Sequence, residues 1–493
     1  MRNYVFHVAA SLAVLKTTVA QSSIAGASCS PTLTASYAAP SVADGYVARL
    51  VANGLTDPRG IKFDSQGTLL VVEQGVGVTA LSLVDAGRGC ISVGSRKSVI
   101  NDTTLNHGIE VSADGATLYA SSSEAVYSWA YDARSSSNTS APTVIVANMT
   151  GSDHTTRTLL LSRKVNGTLV VTRGSTSNLD IEAENIDTGH SQVKAFNLSN
   201  RTGTYDFNAD GLLLGWGLRN DVGVDEEPIT GGIYTVENSV DQLNRSGTDI
   251  HQNNPGEELN FLGYLNGTEY AEQGANFGYP ECYAAWNVSE IPDNAGLQVG
   301  SQFAIGDQNA TVNDTVCAQR AAPRLTFQAH MAPLDILFNN NGTAAWITFH
   351  GSWDRTDPVG YKLSVVEFSN GSPTEPSNST TAAIDIVSNQ NNSACPQGCF
   401  RPVGLAWDSQ GRLFMSSDAT GEIYVVLRAD GNATSEVGSS SPSTLPSHSG
   451  GGAASSTGSS PAATSSTSMA SEKVWVFSIN ALWVVMCLFA FYM

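Results

Sequence analysis

The chain has 493 residues, with 45 acidic against 25 basic side chains and a formal charge of −20. Such a surface repels phosphate backbones and anionic headgroups, which excludes nucleic acid and acidic lipid as partners. Once the two terminal segments described next are set aside, residues 21–430 run without a linker, longer than a typical single core, and a repeat architecture absorbs that length as one domain.

Met1 to Ala20 reads as a secretory signal peptide over residues 1–20. Arg2 leads it, an apolar run passes through Val14 and Leu15, and Thr18-Val19-Ala20 supplies small residues before a cleavage point. Six cysteines follow before the tail, an even number that suits an exported, disulfide-bonded chain. Closeness in sequence pairs Cys29 with Cys90, Cys282 with Cys317 and Cys395 with Cys399. None has Cys and His neighbours at zinc spacing. Glycan-acceptor sequons recur at Asn101, Asn138, Asn166, Asn244, Asn287, Asn341 and Asn378.

Between these marks a unit repeats. The stretches starting at Leu55, Leu105, Arg157, Ala332 and Arg401 each give a short apolar strand, a turn ending in Gly67, Gly115, Gly167, Gly342 or Gly411, and a second apolar or β-branched strand. Leu212 to Gln242 makes a sixth copy. Its two apolar runs, LLLGWGL and GGIYTV, read as a hairpin with Arg219 and Asn220 closing the first strand. Glu237, Asn238, Ser239 and Asp241 close the second, so a cation and an oxygen-rich group meet at one place. A period of about fifty residues, with no long helical periodicity, predicts an all-β, six-bladed β-propeller. The interval Leu243 to Met331 is expected to hold a disulfide-pinned insertion.

Propellers bring the starts of their inner strands to the axis. Arg59, His107, His154, Arg157, Arg219, Asn220, His330 and Arg401 all sit at such starts. Gathered in a chain short of basic residues, they favour a polyanionic ligand. Beyond the propeller, residues 431–472 form a Ser/Thr/Gly-rich linker. Residues 473–493 are an apolar tail, expected to be a GPI-attachment signal or else a membrane anchor, giving a secreted protein held at the cell surface that meets membrane only through that tail.

The motifs DPRGI, DHTTRTLLLS, GLRND with GGIYTVENS, NFGYPEC, FHGSWDR and RPVGLAW together resemble the glucose/sorbosone dehydrogenase family of quinoprotein propellers. Within it they look most like the fungal pyranose dehydrogenases that use pyrroloquinoline quinone. The resemblance runs from about Leu50 to Arg428. It implies a quinone with three carboxylates held by Arg59, Arg219, Asn220, His350, Arg355 and Arg401, with Trp353 stacked nearby. It implies Ca2+ on the backbone oxygens of Ser239 and Val240, with Asp241 as a side-chain candidate. It also implies His154 as the base, an imidazole expected to titrate near working pH. His107 and His330 are assigned either a substrate contact or a place lining the channel.

Where bacterial members use a lysine on the fifth blade, this chain has His350 to Arg355, similar to the fungal branch. The implied substrate is a pyranose or keto-aldose of the fucose, glucosone or sorbosone class, with specificity expected in loops Ala271 to Trp286 and Asp354 to Tyr361. No haem or cellulose-binding region is legible, so electrons are expected to leave to an external acceptor, a cytochrome or a copper oxygenase. Two other classes remain open from the residues: a calcium-dependent lactonase-like hydrolase, which would need acids around its metal, and a non-catalytic surface propeller binding sugars or protein partners.

Overall fold

Six antiparallel sheets of four core strands, set in chain order around one axis, make up the computed structural model, which describes Ile24, residues 28–30 and residues 32–436. The signal peptide, nearly all of the linker and the apolar tail lie outside the described residues. Blade 1 is Pro58–Phe63, Leu69–Glu73, Gly77–Asp85 and Ile91–Ile100; blade 2 is Leu105–Val111, Thr117–Ser122, Val126–Asp132 and Thr143–Ala147. Blade 3 is Leu159–Leu161, Thr168–Arg173, Gln192–Asn197 and Leu212–Trp216; blade 4 is Asp221–Glu226, Gly232–Glu237, Glu257–Tyr264 and Leu325–Phe327. Blade 5 is Pro333–Phe338, Ala344–Phe349, Lys362–Ser369 and Ala383–Ser388. Blade 6 takes Pro402–Trp407, Leu413–Ser417 and Glu422–Arg428 from the end of the chain and Tyr46–Ala52 from its beginning, paired antiparallel to Glu422–Arg428. That borrowed strand closes the ring.

The repeat turns keep the phase expected from sequence. Gly67, Gly115, Gly167, Gly342 and Gly411 all adopt left-handed φ, between 66° and 79°. A side chain there would meet the following carbonyl, so glycine marks each first hairpin. One copy is out of phase. Leu212–Trp216 is the outer strand of blade 3, and the inner hairpin of blade 4 pairs Asp221–Glu226 with Gly232–Glu237 through a turn at Gly231, φ 81°. The stretch DVGVDE, between the two runs read as a hairpin, carries three acids, yet it forms the inner strand and every residue in it is buried.

Apolar side chains of the middle strands pack between blades, as Ala344–Phe349 shows with all six residues buried. Trp346 is fully buried and meets Tyr46 and Trp407 edge-on, joining blade 5 to the outer and inner strands of blade 6. At the axis the inner strands crowd. A Cβ on Gly60 would lie 2.3 Å from the His107 carbonyl oxygen, and one on Gly404 2.5 Å from that of Arg59, so these two positions take only glycine.

The interval after residue 243 holds the outer half of blade 4 as well as the expected insertion. The insertion contains a hairpin, Cys282–Ala284 with Gln302–Ala304, and a one-turn helix, Asp314–Cys317, stapled by Cys282–Cys317. Arg245, fully buried, grips Asp314 through two bonds of 2.7 and 2.6 Å and holds the same insertion to the blade 4 loop. All three disulfides join the cysteines paired from sequence. Asn101, Asn138, Asn166, Asn244 and Asn378 are exposed, with Asn287 and Asn341 partly so.

Candidate active site

Antiparallel pairing sets each inner-strand start beside the end of its second strand: Pro58 faces Glu73, Asp221 faces Glu237, Pro333 faces Phe349 and Pro402 faces Ser417. The mouth of the propeller is therefore lined from two places per blade. Two knots of polar side chains form there.

The first joins blades 1, 5 and 6. Arg59 lies 2.5 Å from Asp418, and His350 Nε2 lies 2.9 and 3.0 Å from the two oxygens of the same carboxylate. Arg401 donates to the carbonyls of His350 (3.1 Å) and Gly351 (2.9 Å) while its guanidinium covers the Tyr361 ring. Burial holds the His350 imidazole down to about 4, against the pull of Asp418. Burial alone would push Asp418 up, but His350, Arg59 and Arg401 keep it well below the usual carboxylate range. His107 adjoins this knot, buried, with no partner at Nδ1; burial and then the charge of Arg59 drive its pKa far down. Arg59 Nε is likewise buried without a partner.

The second knot centres on Arg219, which is only 3% exposed. Its guanidinium donates to Asn178 Oδ1 (2.7 Å), the Asn178 carbonyl (3.1 Å), the Asn238 carbonyl (3.2 Å) and Asp241 Oδ2 (3.1 Å). Its backbone amide donates to Glu237 at 2.6 Å. Asn220 is buried beside it with Oδ1 unpartnered, close to Gly174 and so to His154. His154 is oriented by Ser175. The Ser175 hydroxyl donates to the Ser177 carbonyl (2.8 Å) and therefore accepts from His154 Nδ1 (2.8 Å), which leaves the lone pair on Nε2. Burial, and then Arg219, hold this imidazole down to about 3, so it is neutral over the whole working range rather than titrating within it.

The Ser239–Val240 turn is fixed from below. Glu257 accepts from the Ser239 amide (2.7 Å) and the Ala332 amide (3.0 Å), and both Ser239 and Val240 are buried. Neither the Ser239 nor the Val240 carbonyl takes a hydrogen bond from the described residues. Two adjacent backbone oxygens without a donor can supply part of the oxygen shell that a hard cation takes. Asp241 gives one carboxylate oxygen to Arg219 and turns the other toward His330 Nδ1 at 3.5 Å.

Two of the expected quinone contacts stand apart from both knots. Trp353 is 60% exposed, and Arg355 reaches toward Asn253 (3.3 Å) and the Asp357 carbonyl (3.1 Å), its Nη1 buried without a partner. Behind the second knot lies a group of acids of which the sequence singled out only Glu237. Asp221, Glu237 and Glu258 sit opposite one another on three neighbouring strands of blade 4, all buried. Burial pushes Asp221 up to about 8 and Glu257 and Glu258 to about 7. Asp418, Asn178, Ser175 and Glu257 also escaped notice. For Asp418 a signal existed, since it ends the second strand in RPVGLAWDSQGRLFMSSD and so belongs at the mouth.

The mouth of the six-bladed propeller thus gathers three arginines, a buried imidazole of fixed tautomer and two free backbone carbonyls, groups suited to an anionic ligand beside a cation. The TrAA12-like family model matches residues 40–429, and the chain belongs to that family. It is 51% identical over 409 residues to a pyrroloquinoline quinone-dependent sugar dehydrogenase of Hypocrea jecorina, covering 81% of this chain and 92% of that one. It is 38% identical over 410 residues to a pyrroloquinoline quinone-dependent pyranose dehydrogenase of Coprinopsis cinerea, covering 79% of this chain but 55% of that longer protein. Among solved structures, the calcium form of a Trichoderma reesei family AA12 protein superposes with a TM-score of 0.79 at 51% identity, over 81% of this chain and all of the other (100%). The holo form of the Coprinopsis cinerea pyranose dehydrogenase quinone domain gives 0.75 at 38% identity, over 81% and 99% of the two chains.

Proposed function

We propose that this chain oxidises a pyranose or keto-aldose sugar with bound pyrroloquinoline quinone and passes the electrons to a separate acceptor. The observation that carries the reading is His154, held by Ser175 with its Nε2 lone pair free, beside the Arg219 guanidinium. A group that must take a hydroxyl proton needs a fixed, unprotonated lone pair, and this one has it. When bound, the quinone supplies the hydride acceptor and Ca2+ polarises its carbonyl.

The chain's own residues supply the rest. Arg59, Arg219 and Arg401 bring guanidinium groups to the mouth for carboxylates, with Asn220 and His350 beside them and Arg355 on the loop that follows Phe349. The unpartnered Arg59 Nε and Arg355 Nη1 are donors still to be satisfied, which supports an anionic ligand at this mouth. The free carbonyls of Ser239 and Val240 suit Ca2+, and Glu257 holds them in place. An anion paired with Arg219 would also weaken the field that holds His154 down and so strengthen it as a base. The substrate falls in the fucose, glucosone or sorbosone class, and the acceptor is an external cytochrome or copper enzyme. We place the mature protein outside the cell, glycosylated and tethered through its C-terminal signal.

The test is calorimetric titration of the secreted propeller with pyrroloquinoline quinone, with and without Ca2+, followed by L-fucose, D-glucosone or glucose with an artificial dye. Calcium-dependent binding with sugar-driven dye reduction is expected. Binding without any reduction would favour a propeller that only binds sugars, and absence of quinone binding would overturn the reading.

A further inference from the structure

One group of side chains at the mouth is explained by neither the arginines nor the free carbonyls. Asp241, His330 and Asp354 come from three different loops, and one ligand atom of each lies within 4.8 Å of the others. Asp354 is the anomaly. Its side chain is 5% exposed, yet neither carboxylate oxygen has a hydrogen-bond partner. A buried carboxylate without donors is costly and needs a counter-charge aimed at it.

His330 is already oriented to share that task. Its Nε2 lies 2.5 Å from the His251 carbonyl and donates its proton there, so Nδ1 is turned toward the two acids, 3.3 Å from Asp354 Oδ1 and 3.5 Å from Asp241 Oδ1. An imidazole that hands one N–H to a backbone carbonyl and directs the other nitrogen at carboxylates is how metal-ligating histidines are held. Asp241 is anchored in the same way, since Arg219 occupies its Oδ2 and leaves Oδ1 toward the cluster.

We propose that Asp241, His330 and Asp354 form a binding site for a first-row divalent transition ion such as Zn2+ or Mn2+, built from side chains rather than from the Ser239 and Val240 carbonyls. One nitrogen and two carboxylates favour such an ion over Ca2+, which takes oxygen ligands almost exclusively. All three ligands belong to this chain, so the site does not depend on the quinone reading. A second cluster, Asp180, Glu182 and His190, competes less well, because both Asp180 oxygens already accept from Thr176 and from the Glu182 amide.

The experiment uses the full secreted chain, prepared without quinone and stripped with a chelator. It is titrated by calorimetry with ZnCl2, MnCl2 and CaCl2, and with CuCl2 under electron paramagnetic resonance. Expected are one equivalent of Zn2+ bound at least tenfold more tightly than Ca2+, and a Cu2+ spectrum coupled to one imidazole nitrogen. Asp354→Asn, which keeps shape, should weaken Zn2+ at least tenfold without lowering the melting temperature. His330→Gln should remove the nitrogen coupling. Zn2+ held no more tightly than Ca2+, or held unchanged by Asp354→Asn, would overturn the site.

Discussion

His350 and Asp418 meet in a bifurcated contact, Nε2 at 2.9 and 3.0 Å from the two carboxylate oxygens, across 68 residues and from blade 5 to blade 6. Because Arg59 grips the same carboxylate, one acid sets the position of a guanidinium and an imidazole from different blades. Asp418→Asn should therefore weaken quinone binding by roughly ten- to a hundredfold, the range for losing a supporting partner of a ligand group. Calorimetry checks this, and unchanged affinity would mean that Arg59 and His350 are held by other contacts.

For His154, substitution by Ala should lower kcat about a hundredfold or more while quinone affinity stays within threefold. Ser175→Ala, which frees Nδ1 from its acceptor, should give a smaller loss in kcat. Steady-state kinetics with dye, beside a cofactor titration of each variant, separates the two roles.

Gly404 tests the link between the ring and the site. Adding a methyl group there forces the blade 6 inner strand away from the Arg59 carbonyl. Gly404→Ala is expected to cost about 1–3 kcal/mol in urea unfolding, as overpacking does, and to reduce quinone affinity by displacing Arg59. A variant of unchanged stability would show that the inner strands relax freely.

The buried acids give a pH dependence of definite sign. Folding raises Asp221 to about 8 and Glu257 and Glu258 to about 7, so the folded chain keeps protons that the unfolded chain releases. Their contribution is complete below the unfolded values near 4 and is lost as pH climbs toward 8. Denaturant midpoints should fall across that window, and Glu258→Gln should flatten the decline. A midpoint that rises with pH between 5 and 8 in the parent chain, and is unaltered by Glu258→Gln, would contradict the assignment.

Much of the fold was legible because glycine had no substitute. Five turns with left-handed φ fixed the period, and the apolar or β-branched strand after each turn marked the hairpin. The copy that slipped, Leu212 to Gln242, did so because its inner strand carries Asp221, Asp225 and Glu226, residues that local propensity assigns to turns and that tertiary burial overrides. In the site, Arg59, Arg219 and Arg401 could be placed from their repeat positions. Their counter-charges could not, since Asp418 is 359 residues from Arg59 and only closure of the ring brings them together. The tautomer of His154 depends on a serine and a carbonyl 21 and 23 residues away, which no spacing rule signals.

The strand Tyr46–Ala52 leaves the ribosome long before Glu422–Arg428, to which it must bond. Until then blade 6 does not exist, and Arg401 and Asp418 have no finished sheet to stand on. The mouth is thus the last part of the molecule to mature, and a nascent chain halted before residue 422 would fold blades without ever acquiring the pocket. Because the borrowed strand lies directly against the final one, a permuted chain that starts at the beginning of blade 1 and carries Tyr46–Ala52 at its end could build the same ring in synthesis order.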